Sequence, residues 1–328
     1  MRYGGTGQVR DDGDANYGFK DPKGDLSLVG LLAVIYRTVQ PRYENYSGTI
    51  SLMTAPHRLD FALLDDVSLA VQRKDFDASA ILQRLEIERI GPLVELLILS
   101  RNPSRTSLSL VPLPSTKLLS FLRKAIRSEC SFGRCSNDEK AGFILTTRNP
   151  RADDPVMWTA FCLSAQQGAI DSGLAQEQAK GLVGAMREIE ENIHLHSQRT
   201  HDGLVAYRAT RDEFEFVVAD SGIGALASLR QSPDYEHVTD PGIAIQVALK
   251  DGESRLKYKS EGHGYGFRQL FVGLANLNAS LRFRSDDHSL TINGDSPVLM
   301  AMHLGQTSRL QGFFVNVVCK SAGALQLY

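Results

Sequence analysis

An acid, an amide and an imidazole recur four residues apart in the stretch REIEENIHLHS, as Glu188, Asn192 and His196. Side chains four apart stack on one face of a helix, so the three form a column. Leu182, Met186, Ile189 and Ile193 recur at intervals of four, three and four residues. That spacing predicts an amphipathic helix over 174–197, with its apolar stripe offset from the column and Asp171 and Ser172 ahead of it as caps. Two readings are open for the column. It is an ordinary solvated edge, or it lines a pocket where Glu188 polarises a water and Asn192 offers its carbonyl oxygen to Mg2+, a hard cation that takes oxygen ligands.

A second candidate lies downstream. Residues 204–209 and 213–218 alternate in polarity around Thr210-Arg211-Asp212 and predict a hairpin, which leads into Asp220-Ser221-Gly222-Ile223-Gly224. A carboxylate at a strand end, beside glycines that let a ligand approach the backbone, can accept a hydrogen bond from an exocyclic amine such as that of adenine. The alternative is a tight turn with an Asx cap. A third candidate is EGHGYGFRQL, where Gly262, Gly264 and Gly266 alternate before an apolar run that predicts a helix over 267–279. Glycines before a helix start leave N–H groups and the positive end of the helix dipole facing an anion. A flexible loop or a closely packed helix start would use the same residues. Between these motifs, 225–261 is long and polar, contains Pro233 and Pro241, and reads as a lid with a short helix at 243–249. Near its end Arg255, Lys257 and Lys259 occupy every second position. They form a solvated run, or one of them, with Lys259 the candidate, reaches the γ-phosphate of a triphosphate.

The elements that must hold these groups belong to an ordinary globular chain. It has 328 residues, 42% hydrophobic and 23% charged, enough for two cores. A formal net charge of −2 and a pI near 6.5 point to neither nucleic acid nor a membrane surface. The strongest N-terminal apolar run, 27–36, is too short to span a bilayer and lacks the flanks of a secretory signal, so a cytoplasmic protein is expected. Of the four cysteines only Cys130 and Cys135 are near neighbours, which does not suit a zinc site; Cys162 and Cys319 complete a set read as reduced structural thiols.

Residues 1–25 read as a flexible tail with six glycines, and their GGTG lacks the lysine and the preceding strand that a phosphate loop needs. Residues 26–150 read as a smaller α/β regulatory or scaffold domain, with strands at 49–53 and 107–113 and helices at 92–100 and 115–126. The order of RLEIERI, GPLVELLILSRN, SLSLVPLP and STKLLSFLRKAI weakly resembles a STAS domain over 80–127. Ile90-Gly91-Pro92 stands where that family has its phosphoacceptor serine. The polar stretch 136–154 reads as a linker, with one short strand at 143–147.

The order of the motifs is more telling than any one of them. REIEENIHLHS, DSGIG, a lid, EGHGYGFRQL opening a helix and closing strands at 281–284, 289–292 and 313–319 together resemble the GHKL ATPases, the superfamily of gyrase, the heat-shock chaperone, histidine kinases and MutL. The likeness covers about 155–320. It implies a Bergerat-type α/β sandwich over 151–328, a mixed sheet covered by helices. It also implies ATP and Mg2+ as ligands. Carried over, it makes Glu188 the water-activating base and Asn192 the Mg2+ ligand, and it gives Asp220 the adenine amine. Gly222 and Gly224 would admit the nucleotide, Gly262, Gly264 and Gly266 would let the lid close, and His196 would lie beside the site.

Phe267 departs from the small aliphatic usual after the last glycine. A sensor histidine kinase would need a phosphoacceptor histidine on a dimerisation helix, and no such heptad precedes the motifs. Three functions fit the resemblance: an ATP-driven switch that alters contacts with itself or a protein partner, a serine kinase of the anti-sigma type, and a nucleotide-binding module without turnover.

Overall fold

The computed structural model describes residues 57–73, 79–100, 122, 132–135, 140–146, 154–198, 203–249, 279–293 and 302–321. Contacts group Ala55–Tyr328 into one unit. Its centre is a six-stranded sheet. In chain order the strands are β3 (Phe132–Cys135), β4 (Lys140–Leu145), β5 (Leu204–Ala209), β6 (Glu213–Ala219), β7 (Ala279–Asn293) and β8 (Met302–Lys320), arranged β3-β4-β5-β6-β8-β7. Every neighbouring pair is antiparallel, where the sequence reading expected a mixed sheet. A separate parallel pair joins β1 (His57–Arg58) to β2 (Leu85–Glu86).

The period of two along the strands sorts side chains onto two buried faces. Phe214, Phe216 and Val218 of β6, with Val205 and Tyr207 of β5 and Val315 and Val317 of β8, enter one core. Over it lie α4 (Pro155–Asp171) and α5 (Gln176–His196). α4 has no counterpart in the sequence reading. It begins at Asp154, whose Oδ1 accepts the Met157 N–H at 2.9 Å, and it buries Trp158, Phe161 and Ala165. α5 starts at Gln176, after Ala175, whose N–H donates to Gln178 Oε1 at 3.0 Å. Asp171 and Ser172, expected as its caps, instead close α4. The expected stripe is correct: Leu182, Met186, Ile189 and Ile193 are all buried. Each contributes about 1.5–3 kcal/mol relative to exposure.

The opposite face corrects the domain picture. α1 (Phe61–Gln72) and α3 (Ile90–Ser100) come from the segment read as a separate domain, and a short helix, α2 (Ser79–Leu82), lies between them. Leu64, Val67, Leu93 and Leu96 share a core with Phe143, Ala206, Val217 and Phe314 of the sheet. The expected linker contributes β4, paired through its length with β5. The physical reason lies in β6: EFEFVVA looks half-polar, yet Val217 and Ala219 give its second face apolar surface that helices must cover.

Even the polar residues on that face are enclosed. Glu215 is buried, its Oε2 accepting the Ile90 N–H at 2.9 Å and its Oε1 the Gly91 N–H at 2.8 Å, so a strand carboxylate caps the start of α3. Burial raises its carboxyl above the usual range, against the lowering effect of those two N–H donors. Arg282 of β7 donates to Glu95 on α3 at 2.9 and 3.0 Å and to Asp65 on α1 at 2.6 and 3.0 Å. Arg284 donates to Glu95 and to Ser308. Burial raises the Glu95 carboxyl, but Arg282 and Arg284 outweigh it and hold the group below its ordinary value.

The closing strands are longer than expected. The runs 281–284 and 289–292 form one strand, β7, with its register against β8 shifting between Ser285 and His288, and 313–319 lies within β8. The expected strands at 49–53 and 107–113 and the helices at 115–126 and 267–279 lie outside the described residues, apart from helical Leu122. Among the described residues, no helix is long and apolar enough to cross a membrane.

Candidate functional site

α5 presents Glu188, Asn192 and His196 in turn, each half-buried beside the fully buried Ile189 and Ile193. The column is therefore neither a freely solvated edge nor part of the core. The helix ends at Ser197, itself buried, and here the second motif meets it. The Ile223 N–H donates to the Ser197 carbonyl at 3.0 Å. A Cβ on Gly222 would lie 2.5 Å from Ser197 Cβ and closer still to the Ser197 carbonyl, so only glycine lets the turn sit this near the helix end. His196 Nδ1 lies 3.3 Å from Ser228 Oγ, a second tie between α5 and the segment after the turn.

Asp220 follows the last residue of β6 and is 2% exposed. Its N–H donates to the Phe313 carbonyl at 3.0 Å, and its Oδ1 accepts the Gly222 N–H at 2.7 Å. The Asx turn foreseen as the plainer reading is present. It uses the Oδ1 oxygen of the carboxylate.

Behind Asp220 stands Gly312 of β8, at φ +84°. A Cβ there would come within 2.5 Å of Asp220 Oδ1 and nearer still to its carbonyl. Gly224, at φ +80°, opens a short helix, α6 (Gly224–Leu229). Ser285 Oγ accepts the Ala225 N–H at 2.9 Å and donates to the Gly312 carbonyl at 2.8 Å.

The structure thus brings Asp220, Gly222 and Gly224 against the end of the helix that carries Glu188, Asn192 and His196. Lys259, Gly262, Gly264 and Gly266 lie outside the described residues. Of the expected lid, 225–249 is not irregular. It forms α6, a 3-10 turn at Pro233–Tyr235 and α7 (Pro241–Leu249), with Leu229, Val238 and Ala244 in a small core of their own and Ile245 joining the core beneath α5. Sequence reasoning missed Ser285 and Gly312. The one available signal was Gly312 itself, a glycine interrupting a strand-like run between Leu310 and Phe313.

A buried carboxylate at a strand end can accept from a base, and a half-buried carboxamide can give one oxygen to a hard cation. Among the described residues no group of three or more His, Cys, Asp or Glu could hold a metal ion.

No protein-family model matches the chain, and a search of curated proteins finds no match either.

Proposed function

We propose that the protein is an ATP-binding switch of the GHKL type, in which Mg2+-dependent ATP binding and slow hydrolysis alter contacts with itself or a protein partner. The tie between Ile223 and Ser197 supports this reading most, because it joins the C-terminal end of the acid-and-amide helix to the Asp-x-Gly-x-Gly turn.

Each residue then has a task. Asp220 accepts the adenine amine, which a buried carboxylate does with selectivity because a base lacking that donor leaves it unsatisfied. Gly222 and Gly224 let the turn pack closely on Ser197 and Ser285, which fixes the backbone that the nucleotide approaches. Asn192 contributes one oxygen to Mg2+, which when bound neutralises phosphate charge. Glu188, one helical turn before Asn192, orients a water and takes up its proton. His196 steadies the helix end through Ser228.

The test separates binding from turnover. Purified wild-type protein should bind ATP and release phosphate slowly, and Glu188→Ala should retain binding while losing hydrolysis. Transfer of the γ-phosphate to a protein serine, in place of release, would move the reading to a kinase. Equal phosphate release by wild type and Glu188→Ala would remove Glu188 from the chemistry.

A further inference from the structure

One hydroxyl links the far end of the Asp220 turn to β8. Ser285 is 1% exposed and sits where the register of β7 against β8 shifts. Its Oγ donates to the Gly312 carbonyl at 2.8 Å, and Gly312 is the residue where an added Cβ would meet the Asp220 carbonyl and carboxylate. The same Oγ accepts the Ala225 N–H at 2.9 Å, at the start of α6, directly after the glycines of the turn. A serine hydroxyl has one donor and two acceptor positions. Here the donor goes to β8 and an acceptor takes the Ala225 N–H at the start of α6.

We propose that Ser285 is a positioning residue for base recognition, fixing the Asp220 turn through Gly312 on β8 and through Ala225 at the start of α6. The proposal rests on the nucleotide reading given above. Three features make the position sensitive. Gly312 and Gly224 both have positive φ, which glycine adopts freely and other residues do not, so both positions depend on glycine. A Cβ on Gly224 would lie 2.9 Å from Ser285 Oγ, so the hydroxyl fills the space beside the turn. Removing it takes a hydrogen-bond partner from the Ala225 N–H on α6 and from the Gly312 carbonyl on β8. The turn can then relax while the sheet, paired elsewhere along β7 and β8, remains.

Such a residue acts on selectivity before affinity in general. Adenine offers an exocyclic amine to Asp220, whereas hypoxanthine offers a carbonyl oxygen that a carboxylate repels. Wild-type protein should therefore prefer ATP to inosine triphosphate, and a loosened Asp220 should lose that preference.

The experiment measures dissociation constants for ATP and inosine triphosphate by calorimetry, on wild type, Ser285→Ala and Ser285→Cys. Thermal melts identify which variants are folded. The cysteine variant, close in size to serine but a weak donor, serves if the alanine variant does not fold. We expect ATP affinity to fall about tenfold and inosine triphosphate affinity to change less than twofold, collapsing the ratio. An equal loss for both nucleotides, or a folded variant that keeps the wild-type ratio, overturns the role of Ser285. If wild type binds ATP but shows no preference, the assignment of Asp220 fails and takes this role with it. If wild type binds no ATP, the nucleotide reading itself has failed, an outcome distinct from a loss confined to the variants.

Discussion

The Ile223 N–H donates to the Ser197 carbonyl at 3.0 Å, across a contact so close that Gly222 could carry no side chain. The bond joins the end of α5 to the loop after β6, two elements that meet only through the fold. It also predicts what disturbing the contact does. Gly222→Ala should push the turn off the helix end, weaken ATP binding at least tenfold and lower the melting temperature by a few degrees, since such overpacking costs about 1–3 kcal/mol. Unchanged binding by calorimetry would separate the turn from the site.

Gly312→Ala should also be destabilising. The substitution meets a positive φ, at about 1–3 kcal/mol, and a clash with Asp220. Its melting temperature should fall further than that of Gly305→Ala on the same strand, where an added Cβ would meet only the side chain of His303, at 3.6 Å or more. Paired thermal melts of the two variants check this, and equal melting points would contradict the packing described.

A fragment beginning at residue 151 should not fold stably. Without α1 and α3 the second face of the sheet, including Val217, Ala206 and Phe314, would be exposed to water, and Glu95 would be lost from beneath Arg282 and Arg284. The protein has a single tryptophan, Trp158, which is buried and stacked on Phe161. Its emission should therefore be red-shifted in the fragment and blue-shifted in the full chain. A fragment with native emission and a cooperative melt would restore the boundary near 150.

Glu95→Gln should destabilise the protein by about 3–5 kcal/mol at pH 7, because it leaves two buried guanidinium groups short of negative charge. The pH dependence follows from the direction of the shift. Glu95 is held below its ordinary value of 4.5 in the fold, so its contribution is present above that pH and is lost as pH falls through the folded value. The difference in stability between wild type and variant should therefore narrow below about pH 4.5. Denaturant titrations across pH 3–7 measure it, and a constant difference would contradict the ion network.

How much of this was legible in the sequence depends on whether a signal was local. The stripe from Leu182 to Ile193, the hairpin leading into Asp220 and the column Glu188–Asn192–His196 follow from periodicity, and α5, β5 and β6 carry them as expected. The position of α5's cap was not recoverable, because Ser172 is a good cap residue that here closes the preceding helix. The domain boundary near 150 failed because burial of a strand's second face depends on distant helices. Glu215 in EFEFVV looks solvent-facing until α3 is placed on it. Ser285 was hidden for the same reason: its partners, Ala225 and Gly312, lie far away along the chain.

The most direct test of the central claim is an ATP titration by calorimetry, with and without Mg2+, on wild type and Asp220→Asn. Wild type should bind with an affinity that Mg2+ strengthens, and Asp220→Asn should bind tenfold to a hundredfold more weakly while melting like wild type, as expected for losing a hydrogen bond to a charged group. Failure of folded wild-type protein to bind ATP, or identical binding by Asp220→Asn, would contradict it.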